Sequence, residues 1–212
     1  MLEFFYGIDK AVFLFFNAYL THPALDFVMP HITEFRFWVI PGLLAAALFV
    51  LRENKKKALI ILGLTALTVA ISDPFSSQIL KKIFARPRPC NPEFFVEGGR
   101  FLLGMRGSYS FPSSHSMNMF AVAALYACFY PKLWIYFFAF ASIIGYSRVY
   151  CGVHYPSDVL GGAVLGCLTG LGVYAAYRKF SKTKESGGTK LSNACEGEGE
   201  GSPPTGPPKP VD

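Results

Sequence analysis

The sequence predicts an all-α protein, a polytopic membrane helix bundle, and three observations carry that expectation. Hydrophobic residues make up 52% of the 212 and aromatic residues 16%, whereas charged residues supply only 16%, so the chain holds more apolar surface than its own small core can hide. Several apolar runs, at 37–51, 58–80, 117–130, 133–145 and 159–177, approach the roughly 20 residues that cross a hydrocarbon layer. Aromatic residues at or near their ends, Trp38, Tyr130, Trp134, Tyr136 and Tyr177, suit the two interfacial belts of a bilayer and lengthen the shorter runs.

The elements follow in order. Residues 4–20 are apolar but interrupted by Asp9, Lys10 and Asn17, which describes a short span or a tilted one partly shielded by its neighbours. Acids and no basic region precede this stretch, so no secretory signal is expected and the first helix is retained. His22 and Pro23 mark a turn, 25–31 a brief interfacial segment, and the next span begins near Phe37. Arg52, Glu53, Asn54, Lys55, Lys56 and Lys57 interrupt the hydrophobicity as a cytoplasmic hairpin does.

From 58 to about 85 the chain is helix-compatible over on the order of 40 Å, so its far end protrudes from the hydrocarbon. Lys81 and Arg88 lie at that end. Pro74 is expected to kink this helix, and Asp73 beside it to satisfy loosened backbone groups rather than to act on a ligand. Residues 87–110 contain Gly98, Gly99, Gly104 and Gly107 without helical periodicity and read as an external loop. Its Phe94, Phe95, Phe101, Leu102, Leu103 and Met105 either dip into lipid headgroups or pack the loop itself. A helix after Pro112, a tight turn at Pro131 and Lys132, a helix reaching Arg148 and a last one from Pro156 complete a membrane domain over 1–180. Residues 181–212 are rich in Gly, Glu, Pro, Ser and Lys and are expected to form a disordered cytoplasmic tail.

Counting crossings brings three polar motifs to one membrane face: KKIFARPRP from Lys81, PSSH from Pro112, and SRVYCGVHYPSD from Ser147. Arg52, Lys55, Lys56, Lys57, Lys132, Arg178, Lys179, Lys182 and Lys184 fall on the other face, which the positive-inside rule makes cytoplasmic. The motifs therefore look outward from the cell membrane, or into the periplasm of a cell with two membranes. The net charge of +6 is divided between these loops and the motifs, which argues against a nucleic-acid partner.

Together the motifs describe a site for phosphate. A multiply charged anion leaves water only for several preorganised donors. Lys81 offers a mobile point charge, while Arg88 and Arg148 each present a planar fork. Pro112, Ser113 and Ser114 form a helix start whose free backbone N–H groups and dipole receive a further oxygen. Three cations at one point would repel a divalent ion, and no surplus of carboxylates offsets them, so no metal and no cofactor is expected. His154, neutral among these cations, is suited to attack phosphorus. Asp158 is four residues on, in the first turn of a new helix, where it selects the tautomer of His154 and supports its developing charge. His115 remains as the general acid and later the base.

A lone histidine or arginine at a membrane interface is ordinarily a solvated or hydrogen-bonded group, and His22, His31, Lys82, Arg86, Arg100 and Arg106 receive that reading. Cys90, Cys128, Cys151, Cys167 and Cys195 include no CxxC pair. Cys90 and Cys151 each abut a motif on the same face, where free thiols are preferred over a bridge.

In these residues the chain resembles the type 2 phosphatidic acid phosphatase superfamily of integral membrane lipid phosphatases. The signature KxxxxxxRP, PSGH and SRxxxxxHxxxD is matched at 81–89, 112–115 and 147–158, with Ser114 in place of the glycine. The substitution weakens the case for a backbone amide contribution there. The resemblance implies about six transmembrane helices and a phosphorylated membrane lipid as the partner. It also implies His154 as nucleophile, His115 as general acid, Asp158 as orienting carboxylate, and Lys81, Arg88, Ser113 and Arg148 as phosphate ligands. Undecaprenyl diphosphate is the first substrate expected, ahead of phosphatidylglycerophosphate, phosphatidic acid and lipid A. Two other readings compete: a vanadium haloperoxidase, which shares the anion cage but is soluble, and a noncatalytic lipid-binding or transport protein, which loses motif residues.

Overall fold

The structure is a computed structural model that describes the backbone of residues 2–196 and the side chains of residues 4–182. All regular elements among the described residues are helical: α1 (Leu2–Leu14), α2 (Pro23–Thr33), α3 (Arg36–Arg52), α4 (Lys55–Pro74), α5 (Lys81–Phe84), α6 (Ser114–Phe129), α7 (Trp134–Tyr150) and α8 (Pro156–Glu196). Local chemistry sets several of these boundaries. Asn54 Oδ1 accepts from Lys56 N at 3.0 Å and Lys57 N at 3.3 Å to cap α4. Pro23 and Pro156 occupy first positions, where their missing N–H costs nothing. Pro74 cannot donate to the helical ladder, and the wider π-type segment Phe75–Leu80 follows it directly. The expected kink thus takes the form of a change in winding that leads into α5 and Lys81.

The five apolar runs all fall on helices, but the implied count of about six spans is not reached by length and apolarity. Among the described residues three segments qualify, Lys55–Phe84, Pro131–Tyr150 and Pro156–Lys182, and a fourth if the pair Phe4–Tyr19 and Pro23–Thr33, bent by 116°, counts as one. The reason is length. α3 has 17 residues and α6 has 16, about 25 Å of helix against a hydrocarbon core of about 30 Å.

The molecule divides into two compact units, Met1–Tyr174 and Ala175–Asp212. The helix α8 continues to Glu196, past the position where the composition changes, and residues 197–212 of the expected tail lie outside the described residues.

Within the first unit α6 lies between α4 and α7 and is lined with small buried residues, Ser116, Ala121, Ala123 and Ala124. The α8 helix meets it through glycines one turn apart. A Cβ at Gly166 would stand 2.3 Å from the Met117 carbonyl oxygen, and one at Gly170 2.1 Å from that of Ala121. The obstacle is backbone and cannot rotate away, so the contact demands glycine. Gly166→Val is expected to lower stability by about 1–3 kcal/mol through overpacking, read as a reduced Tm in detergent micelles; an unchanged Tm would refute this account of the α6–α8 contact.

Asn17, which interrupts the first apolar stretch, is fully buried. Its Nδ2 donates to the carbonyl oxygens of Arg100 and Tyr150, each at 2.8 Å, and its Oδ1 accepts from Arg100 N at 2.6 Å. This polar break, in the π-type segment Phe15–Tyr19 that follows α1, thereby pins the 87–110 loop to the end of α7, the helix that carries Arg148.

Candidate active site

The three motifs meet. Lys81, Arg88, Ser114, His115, Arg148 and His154 line one cavity of about 530 Å³. The α5 helix starts at Lys81 and ends at Ala85, whose φ of 44° turns the chain out of the helix. The chain then runs inward to Arg88, only 5% exposed. Arg88 Nε donates to Ser108 at its carbonyl oxygen (3.1 Å) and Oγ (3.0 Å), and Nη1 donates to the Val153 carbonyl oxygen at 2.8 Å. That same Nη1 lies 3.0 Å from His154 Nε2. A neutral imidazole with its proton on Nδ1 satisfies both sides, accepting from Arg88 at Nε2 and facing Asp158 Oδ2 with Nδ1 at 3.4 Å. Burial lowers the pKa of His154 well below its ordinary value, and the charges of Arg88, Arg148 and Lys81 lower it further.

Asp158 is fully buried behind His154. Its Oδ2 accepts from Tyr155 N at 2.8 Å and from Ser110 Oγ, and its Oδ1 accepts from Arg86 Nη1 at 2.8 Å. With so many donors, the bond to His154 is long, and it has room to tighten as positive charge develops on the ring. Arg86, which the sequence left without a fixed role, is a hydrogen-bonded structural partner of the site. It also donates to Ser157 Oγ and, through Nη2, to Asp9 Oδ2 at 2.6 Å each, with its guanidinium 4.1 Å from the Tyr155 ring centroid. Asp9 accounts for the acid in the first apolar stretch: it balances Arg86 and accepts from Ser157 N at 3.0 Å. The sequence marks each residue but not their pairing: an acid stands in an apolar helix, and an arginine two positions before Arg88.

The start of α6 differs from expectation. Ser113 is not among the residues that line the cavity. Its N–H is spent on the Asp158 carbonyl oxygen at 3.0 Å, and its Oγ accepts from Ser116 N at 3.4 Å as an N-cap. Ser114 reaches the cavity with its Oγ bonded to Ser76 Oγ at 2.8 Å. Arg148 is 4% exposed and donates from Nη1 to Thr33 Oγ1 at 2.6 Å, while its buried Nε has no partner among the described residues. Arg106 also lines the cavity, although sequence alone gave it no role.

Asp73, expected to serve loosened backbone, lines the same cavity and accepts from the side chain of Asn118, Nδ2 to Oδ1 at 2.9 Å. The remaining wall is apolar, with Trp38, Val69, Phe140 and Ile144. Cys90 and Cys151 are both free and buried, and burial pushes the Cys151 thiol up to about 12. Among the described residues no three His, Cys, Asp or Glu side chains are arranged to hold a metal ion.

Residues 57–182 match the PAP2 superfamily. The chain is 32% identical to the lipid A 4'-phosphatase of Bacteroides thetaiotaomicron over 192 residues, covering 88% of this chain and 84% of the relative. It is 31% identical to an undecaprenyl-diphosphatase of Sulfolobus acidocaldarius over 122 residues, covering 57% of this chain and 55% of that one. Among solved structures it is similar to a transmembrane PAP2 type phosphatidylglycerolphosphate phosphatase from Bacillus subtilis, with TM-score 0.60 and 28% identity, over 82% of this chain and 86% of the other.

Proposed function

The chain belongs to the PAP2 superfamily, and from that premise we propose that it is a membrane lipid phosphatase that releases inorganic phosphate from a saccharide-bearing lipid of the lipid A class through a phosphohistidine on His154. The observation that carries the chemistry is the convergence of Lys81, Arg88, Arg148, His115 and His154 on one cavity. The breadth of the match to a lipid A 4'-phosphatase, over 88% of the chain, supports the substrate class. Undecaprenyl diphosphate becomes the second reading, supported by a match over 57%.

The cations hold the non-bridging oxygens. An arriving phosphate draws Arg88 Nη1 away from His154 Nε2, 3.0 Å distant, and so exposes the lone pair that attacks phosphorus. As the P–N bond forms and the P–O bond to the headgroup breaks, His115 donates its proton to the departing alkoxide. Asp158, held by Arg86 and Tyr155 N, stabilises the cationic ring. Water then attacks phosphorus and gives its proton to His115; the P–N bond breaks, returning neutral His154 and free phosphate. No step uses a metal.

The bent α1–α2 pair, α3, the α4–α5 segment, α6, α7 and α8 act as six spans, with the short α6 packed between α4 and α7. The charge bias of the loops supports a cavity that opens on the outer or periplasmic face.

The test is phosphate release by purified protein in EDTA, offered lipid A, polyprenyl diphosphate, phosphatidylglycerophosphate and phosphatidic acid. Undiminished hydrolysis in the chelator, fastest in kcat/KM on lipid A, is expected. Release from none of the four would overturn the enzymatic reading, and preference for polyprenyl diphosphate the substrate class.

A further inference from the structure

We infer that Asp73 and Asn118 form a headgroup subsite beneath the phosphate cage, one that binds hydroxyl or amide N–H donors lying between the scissile phosphate and the hydrocarbon of the lipid. The inference rests on the phosphatase reading of this cavity and adds to it a means of choosing the substrate class.

Both residues line the cavity that holds Lys81, Arg88, Arg148 and His154, and helix geometry sets their depth. Asp73 precedes Lys81 by eight positions along the outward-running α4–α5 segment, on the order of 10 Å further in. Asn118 follows His115 by three positions on the inward-running α6, about one turn below it. The 2.9 Å bond between Asn118 Nδ2 and Asp73 Oδ1 closes the two walls into a polar rung. Ser72 Oγ donates to Asn118 Oδ1 and orients the amide so that its N–H faces the carboxylate. Below the rung the wall is apolar, with Val69 and Phe140.

The chemistry of the rung is specific. Asp73 is the only carboxylate among the residues that line this cavity. Its Oδ1 is occupied by Asn118, and Oδ2 receives no hydrogen bond from any described residue. Asp73 is exposed to this cavity, so that oxygen is open to a donor carried by the substrate. A phosphorylated amino sugar supplies hydroxyl and amide N–H groups at that depth. A polyprenyl diphosphate supplies a second anionic phosphate and then bare hydrocarbon, so it meets charge repulsion first and an unpaired carboxylate afterwards. A site built around a substrate donor rejects the analogue that lacks one. Asp73 is therefore a specificity-determining residue that favours donor-rich phosphomonoesters.

The experiment measures kcat/KM for lipid A and for polyprenyl diphosphate with the full-length protein and with Asp73→Asn, which keeps the shape and removes the charge. The ratio of lipid A to polyprenyl diphosphate is expected to fall at least about tenfold, the scale of one lost charge-assisted hydrogen bond. Equal losses on both lipids, or an unchanged ratio, would overturn the subsite while leaving the phosphatase reading intact. Inactivity of the unmodified protein on both lipids would overturn the phosphatase reading and the subsite with it. If Asp73→Asn does not accumulate in membranes, Asn118→Ser removes the partner instead, and the same ratio decides.

Discussion

His154→Ala is expected to reduce phosphate release by at least about 10⁴-fold, the scale set by loss of a nucleophile from a preorganised triad, while the protein still inserts and folds. The ring is 1% exposed but borders an existing cavity, so its removal enlarges that space instead of opening a void in a packed core. Intact turnover in this variant would refute the nucleophile. Its pH dependence follows from the same surroundings. Because the folded pKa lies below the ordinary value of about 6.5, the ring stays neutral through the neutral range, and the acid limb of kcat/KM that it governs should fall well below pH 6.5. The linkage has the matching sign. An unfolded chain binds the proton more readily, so the stability contributed by this group is full above the unfolded pKa and is lost as pH falls below it.

The second large effect is expected at Arg88. Arg88→Ala should lower kcat by about 10²–10³-fold, as loss of one preorganised donor to a developing oxyanion does, and should weaken inhibition by inorganic phosphate. Arg88→Lys should recover little, because a point charge cannot reach Ser108, Val153 and a phosphate oxygen together as the planar fork does. Removal of this cation also relieves part of the pressure on His154. The acid limb should then move to higher pH without reaching the ordinary value, since burial is the larger cause. Unaltered kinetics and an unmoved pH profile would argue against the cage.

Much of this site was legible in the order of residues. Lys81, Arg88, His115, Arg148 and His154 stood out because phosphate chemistry needs those side chains, and crossings of the bilayer can be counted from apolar runs. Ser113 was ambiguous, since a serine at a helix start either caps the helix or offers its N–H to a ligand. Its N–H goes to the Asp158 carbonyl oxygen, a choice that depends on where α8 lies. Arg86 and Asp9 were illegible for a related reason: their pairing joins residues 77 positions apart, and no local pattern records which remote acid an arginine will find.

Periodicity and residue type by themselves determined the helical class, the membrane setting and the chemical inventory of the pocket, because apolar length and the needs of a phosphate anion act locally along the chain. Tertiary structure alone decided which groups share the pocket. Helix packing through Gly166 and Gly170, the winding change after Pro74 and the buried Asn17 clasp set the depth and facing of each side chain. Those distances turn Arg86 into a brace for Asp158, and Asp73 from a prop for its own helix into part of the cavity wall.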